Sequence, residues 1–453
     1  MRSNWRLYSV LFDPGPPSRL VSGPVLALNQ KRFIDILSQL IAMTPKLQNS
    51  PDVGLIPEER LPAELVLSTL KPHIDSGFIE AESLAAPGHE ARPSLVLTVK
   101  GTGEGQIGFV GAHFDVVPAD REKEGWERDP FTLWVGEDGT LYARGVTDCL
   151  GHVAVVTDLL AQMAEENQRP RRTLKVVFIA NEEEAPLPEI GLDYVVDQGK
   201  LDDLKDGTIY WLDSADFGPT VGTGGVAMWE LRVAGVTGHS GMTHNCVNAL
   251  ELAGAASQAL THWFQSNFPP HPDEERWGFV TSSTLKATII DVPNNKITKV
   301  PGTAVVQGDI RLTPFYDIEE AIGGAVKFIE ELDARIDKDD APRGFPRTRT
   351  VGGVRGKLKL TRKGRFMEGI ACHLDSPGLA RLTKAISDAR GEEAKAYSMT
   401  GSLPLVRDLQ RRGFDVQITG FGRSTYYHAP NEQAKLEHFV QGFDILRRLL
   451  AEE

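Results

Sequence analysis

The chain has 453 residues, about three times the ~150-residue domain prior, so two domains are expected rather than one core. With 41% hydrophobic and 25% charged residues, the composition excludes global disorder, collagen and coiled coil. Forty-nine basic against 62 acidic residues give a net charge of −13, which disfavours nucleic acid as a partner.

In chain order, the N-terminal stretch MRSNWRLYSVLFDPGPPSRL is broken by Asp13 and three prolines and does not read as a cleaved signal. Residues 31–43 and 61–70 read as helices, and Ser94–Lys100 and Ile107–Gly111 as short strands. The turn GTGEG at 101–105 precedes a strand rather than following one, so it lacks a dinucleotide-binding context. Leu150–Glu165 is apolar at helical spacing. Leu174–Ala180 and Thr208–Leu212 are continuous apolar runs, expected of buried parallel strands. Strands alternating with helices imply an α/β sheet.

Past Gly222 the pattern changes. Val226–Val233, Ala304–Arg311 and Lys357–Arg362 alternate in and out, with helices expected at Val247–Phe264 and Ile318–Arg335 and a surface loop over Asp337–Arg349. That ordering suggests a small α+β plait. From Ser376 the first style returns, with a helix at Gly378–Ala389, a strand at Asp415–Thr419 and a last helix at Leu436–Ala451. The expected organisation is a catalytic domain in two parts, 1–221 and 366–453, interrupted by an inserted α+β (ferredoxin-like) domain over 222–365.

Three cysteines, Cys149, Cys246 and Cys372, make no disulfide framework and point to a reducing compartment, read as the cytoplasm. Apolar stretches such as Val153–Leu160 fall far short of the ~20 residues that span a bilayer, so no membrane partner is expected.

Acids and histidines follow the C-terminal ends of the apolar runs. His113 and Asp115 follow Ile107–Gly111, Asn181–Glu184 follow Leu174–Ala180, and Asp213 follows Thr208–Leu212. Ligands of open α/β sheets bind outside the carboxyl ends of the strands, so these runs point to one shared crevice. Asp148 stands just before a helix and can face the same crevice; His428 follows the strand at 415–419. Imidazole and carboxylate donors without thiolate suit zinc, with cobalt or manganese also served. In His-x-Asp, a carboxylate two residues on can accept the second ring N–H of a ligating histidine.

GAHFDVVP (111–118), YARGVTDCLGH (142–152), NEEEA (181–185), TGHSG…NAL (237–250) and YYHAPNE (426–432) resemble the co-catalytic zinc aminoacylase, carboxypeptidase and acetylornithine deacetylase family. The likeness runs from about residue 30 to the end. WLDSADFGPTVGTGG (211–225), GDIRLTPFYD (308–317) and GSLPLVRDLQRRGFDVQ (401–417) are most similar to its acetylornithine deacetylases of the plant-like type. The resemblance implies a zinc-peptidase-like fold with two divalent metals. It places His113 and Asp213 on the first metal, Glu183 and His428 on the second, and Asp148 bridging both through a cis peptide to Cys149. Asp115 stands behind His113, and Glu182 is the general base. Glu184 is assigned no such role. It further implies His239 as an oxyanion donor from the inserted domain across a homodimer, and substrate contacts at Arg311, Asn248 and Ser402.

Three carboxylates at the two metals leave one positive charge, which favours a deprotonated water between them. The implied reaction is hydrolysis of an amide on a small N-acyl amino acid, with N-acetyl-L-ornithine as the leading substrate. A dipeptidase or other N-acyl-amino-acid hydrolase is the alternative within the family. A non-catalytic metal or peptide binder is the alternative of another class.

Overall fold

The computed structural model describes residues 25–183, 190–293, 296–338 and 340–451. The N-terminal stretch and Glu184 lie outside the described residues. Two sheets organise the rest. The larger runs in the order Glu80–Leu84, Ser94–Val99, Thr173–Ile179, Gln106–His113, Thr208–Trp211, Asp415–Ile418, Thr220–Thr223 and Ile370–Ala371. Its four central strands, from Thr173–Ile179 to Asp415–Ile418, are mutually parallel. They are buried almost throughout, as their unbroken apolar runs require.

Helices cover both faces. Leu150–Glu165 lies against one face and buries its length, from Leu150 through Met163. Gln30–Met43, Pro377–Arg390 and Leu436–Ala451 extend that core through Phe33, Leu382 and Phe439. Val195, Leu204 and Leu409 pack on the opposite face around Trp211 and Ile209. With the four parallel strands so enclosed, their carboxyl ends all open on one rim.

The smaller sheet has its own core. Strands Gly225–Ala234, Thr284–Asp291, Thr303–Leu312 and Lys357–Met367 are antiparallel. Helices Ala249–Asn267 and Ile318–Asp337 cover one face, burying Trp229, Leu260, Phe264 and Ile329. The order along the chain is β-α-β-β-α-β, with Thr284–Asp291 at one edge of the sheet and Lys357–Met367 at the other. Thr284–Asp291 has no counterpart in the sequence reading. It is exposed along most of both faces, so no in-out alternation marks it. Strand Glu80–Leu84 escaped the reading for the same reason.

The chain crosses between sheets at two adjacent points. Val226 pairs with Met367 in the small sheet, and Thr223 with Ile370 in the large one. Among the described residues no helix is long and apolar enough to cross a membrane.

Because the small sheet holds a separate core, Phe264→Ala should destabilise it by ~3–5 kcal/mol through the cavity left behind. The measurement is urea unfolding followed by the fluorescence of Trp229 and Trp263, both in that layer. An unshifted midpoint would contradict the packing.

Candidate metal centre

Strand Gln106–His113 slips its register between Val110 and His113. Gly111 sits there at φ +105°, where a Cβ would stand 2.6 Å from the Trp211 ring. Only glycine fits, and the irregularity re-aims the side chains that follow. The buried His113 imidazole then places Nε2 3.1 Å from Asp148 Oδ1, and 3.9 Å from both Glu182 Oε2 and Asp213 Oδ1. The second oxygen of Asp148 lies 3.1 Å from His428 Nε2, which is also 3.1 Å from Glu183 Oε2. One carboxylate thus turns an oxygen to each of two histidines. The structure brings His113, Asp148, Glu182, Glu183, Asp213 and His428 into one cluster at the carboxyl rim of the parallel strands.

Asp115 anchors the segment that carries the two glutamates. Its carboxylate accepts the backbone N–H groups of Glu182 and Glu183 at 3.0–3.1 Å and the Asn49 side-chain amide at 2.8 Å. The His113 Nδ1 that spacing assigned to this carboxylate faces the Asp115 backbone carbonyl instead, at 2.9 Å, with the nearest carboxylate oxygen at 3.5 Å. The carboxylate is already taken by three N–H donors.

Glu432 does the same for the bridge. It is fully buried and accepts from Arg144 Nη1 and from the backbone N–H groups of Gly145, Thr147 and Asp148, at 2.8–3.0 Å. The Asp148–Cys149 peptide is cis. Glu432 lies inside the YYHAPNE stretch, so a signal existed and sequence reasoning gave it no role. Asn49 had no signal, because only the fold brings it to Asp115. Cys149 was also missed. Its sulfur lies within 4.8 Å of ligand atoms of His113 and Asp213, and it contacts Leu212 O and His152 Nδ1.

The electrostatics follow from crowding. Burial and the Asp148 charge raise both Glu183 and Asp213 to about 7. Burial, with Asp213 beside it, pushes Glu182 well above the carboxylate range. Burial opposes ionisation of Asp148 too, but hydrogen bonds to His113 and His428 hold it far below its ordinary value. His428 is raised to about 11 by its bonds to Asp148 and Glu183. Tyr427 stays a phenol, because burial and the charges of Asp213 and Asp148 raise its pKa well above the usual value.

The donors fit divalent metal. His113, Asp148 and Glu183 offer ligand atoms within 4.8 Å of one another. The excess of buried carboxylate over imidazole calls for cationic charge, and oxygen with imidazole nitrogen suits zinc, cobalt or manganese.

The remaining expected residues lie apart: Arg311 on the smaller sheet, His239 on a two-stranded ladder with Lys299–Val300, Asn248 at a helix start and Ser402 after a strand of the larger sheet. His239 is exposed on the short strand Gly238–His239, and its Nδ1 accepts the Gly241 N–H at 3.0 Å. The neutral ring must then carry its proton on Nε2. Arg311 pairs with Asp309 at 2.7 Å. Asn248 caps helix Ala249–Asn267 by accepting from Leu250 N–H. Ser402 lies half-buried in the loop after strand Tyr397–Ser398. The structure does not draw these four into the carboxylate cluster.

Metal must displace protons here. It needs neutral imidazole and ionised carboxylate, whereas the raised values keep His113 and His428 charged at pH 7, with Glu183 and Asp213 near half-protonated. Affinity should therefore rise with pH from below 7 upward. Zinc titration calorimetry at pH 7 in buffers of different ionisation enthalpy should show net proton release. Identical heats in all buffers would contradict the electrostatics.

Known proteins resemble this chain in sequence and in fold. The sequence model of peptidase family M20/M25/M40 matches residues 109–452. The acetylornithine deacetylase of Arabidopsis thaliana is 41% identical, over 94% of this chain and 96% of its own. That of Dictyostelium discoideum is 40% identical, over 93% and 97%. In fold, the chain is similar to a di-peptidase of Saccharomyces cerevisiae, with a TM-score of 0.67 and 16% identity over 93% of this chain and 95% of that one. It is also similar to a metallo-carboxypeptidase of Sulfolobus solfataricus, with a TM-score of 0.65 and 17% identity over 92% and 98%.

Proposed function

This chain belongs to peptidase family M20/M25/M40, and from that premise we propose that it removes the acetyl group from N-acetyl-L-ornithine as a metal-dependent amide hydrolase. The observation that carries the reading is Asp148, one oxygen 3.1 Å from each of two histidines. Relatives about 40% identical over nearly the whole chain narrow the substrate. Ornithine so released would enter arginine and ornithine biosynthesis.

His113 and Asp213 would hold one metal, Glu183 and His428 the other, and Asp148 both, with zinc as the proposed ion and cobalt or manganese served by the same donors. When bound, such ions act as Lewis acids on the amide carbonyl and acidify water. The chain's own residues do the rest. Glu182 is spared from ligation and is fixed through its backbone by Asp115. It takes a proton from the attacking water and returns it to the leaving amine nitrogen as the C–N bond breaks. Its raised affinity for protons suits that shuttle. Arg311 would hold the substrate carboxylate in a bidentate pair, with Asn248 and Ser402 beside it. His239, with its proton on Nε2, is equipped to donate to the oxyanion.

Residues 222–365 would form a lid and dimerisation domain on a catalytic domain made of 1–221 and 366–453. Strand Thr284–Asp291 supports a homodimer. It is an edge strand with Ile289 and Ile290 exposed by 56% and 54%, and an open apolar edge is a template for pairing. Cys149, Cys246 and Cys372 are all free and buried, which supports a reducing compartment, the cytoplasm.

Glu182→Gln should keep both metals and lose ~10²–10⁴-fold in rate, whereas Glu183→Gln should lose metal from the second site. Elemental analysis beside turnover of N-acetylornithine and a panel of N-acyl amino acids and dipeptides decides it. A Glu182→Gln protein at wild-type rate would sink the mechanism, and a faster dipeptide would replace the substrate. For the assembly, light scattering should give a dimer that Ile289→Lys with Ile290→Asp converts to a poorly active monomer. A fully active wild-type monomer at nanomolar concentration would reject the role of His239 across the interface.

A further inference from the structure

The hydroxyl of Tyr427 is buried and finds no hydrogen-bond partner among the described residues. Other phenols around the sheet are satisfied. Tyr397 donates to Ala215 O at 2.9 Å, and Tyr210 to Gly378 O at 3.2 Å. Leaving a buried hydroxyl bare is costly, so its position asks for an acceptor that the described residues do not provide.

Its surroundings say where that acceptor arrives. The strongest charged neighbours of the phenol are Asp213 and Asp148, with Cys149 and Tyr397 close by. Asp213 and the base Glu182 each bring an oxygen to 3.9 Å from His113 Nε2, so phenol and base share Asp213 as a neighbour. The nearby groups are engaged elsewhere: Asp148 with the two histidines, Cys149 with Leu212 O and His152, and Tyr397 with Ala215 O.

The backbone that carries the ring is also held in place. Tyr427 follows the tight turn Ser424–Tyr426 and returns its N–H to Ser424 O at 3.2 Å. Asp216, three residues past Asp213, accepts the Ser424 backbone N–H. The next residue, His428, adopts the left-handed region at φ +55°, which is costly for a side chain other than glycine and persists only where neighbours fix it. His428 is thereby aimed at the Asp148 and Glu183 carboxylates, with Tyr427 next to it in the chain.

We propose that Tyr427 is a catalytic residue that donates its phenolic hydrogen bond to the acyl carbonyl oxygen of the substrate, and more strongly once that oxygen carries negative charge. The inference rests on the amide-hydrolase reading above. The phenol keeps its proton throughout. With an ordinary pKa near 10, it is a neutral donor at working pH. A neutral donor placed in advance where charge develops is the arrangement that lowers an acyl-transfer barrier. Unlike His239, it comes from the same chain as the cluster, so its contribution does not depend on assembly.

Tyr427→Phe removes one oxygen and keeps the ring. The metal-loaded variant should lose ~10²–10³-fold in kcat with KM little changed, with bound metal and melting temperature as in the wild type. A second readout needs no turnover. The ornithine derivative with a methylphosphonyl group in place of acetyl presents a tetrahedral oxyanion. Its affinity by calorimetry should fall by a similar factor in the variant, while that for ornithine stays unchanged. Wild-type kcat in the variant, a change in KM alone, loss of bound metal, or an unchanged affinity for the phosphonyl derivative would each overturn the assignment. A wild type that hydrolyses no N-acyl amino acid or dipeptide would fail the hydrolase reading instead, and the calorimetric ratio judges the tyrosine in either case.

Discussion

The crowding of Asp148, Glu182, Glu183 and Asp213 into one buried crevice is the constraint from which the rest of the structure takes its meaning. Like charges brought together away from water resist ionisation. The folded chain answers with two imidazoles and with the retained protons that the raised Glu182, Glu183 and Asp213 imply. Both answers are reversible. Divalent cations supply the same positive charge without protons, so the features that strain the metal-free cluster are those that would give the loaded one its affinity. Glu182 stands 3.9 Å from His113 Nε2, and under the proposed function it would be the proton-hungry carboxylate left over for the reaction.

Such a cluster needs a frame that does not relax to relieve it. Two further buried carboxylates supply it without facing the crevice. Asp115 gathers the N–H groups of Glu182 and Glu183. Glu432 gathers those of Gly145, Thr147 and Asp148 across 284–287 residues of sequence separation. Each spends its charge on backbone donors, and such bonds are about twice as strong as neutral ones. The anchoring of backbone rather than side chains leaves the ligand carboxylates free to adjust to metal while their Cα positions stay fixed.

Much of this was legible before the fold. The central parallel strands announced themselves by unbroken apolar runs, and the rule that ligands gather at carboxyl ends brought His113, Glu183 and Asp213 together. Structure was less legible wherever it did not depend on apolar patterning. Thr284–Asp291 is held in the sheet by backbone bonds to Thr303–Leu312 while its side chains face water, so it has no period to read. Asn49 reaches Asp115 from 66 residues away, a proximity that only tertiary packing creates. The unpartnered hydroxyl of Tyr427 was equally invisible, because hydrogen-bond partners are a property of three-dimensional surroundings.

The joint between the two sheets divides the labour. Two hydrogen-bonded strands carry the chain across, and glycine sits at the crossing because nothing larger fits. A Cβ at Gly225 would stand 2.8 Å from Met367 O, and one at Gly369 2.5 Å from Thr223 O. The ribbon is braced by further contacts, since Phe279 bridges Ser398 and Trp277 Nε1 donates to Cys372 O at 3.0 Å, both joining the inserted segment to the large sheet. His239 and Arg311 belong to strands of the inserted segment, whereas Glu182, Tyr427 and the clustered carboxylates belong to the enclosed sheet. Under the proposed function, proton transfer and metal binding belong to the rigid layer. Grip on the substrate would belong to the smaller layer, so its side chains can differ without disturbing the buried charges.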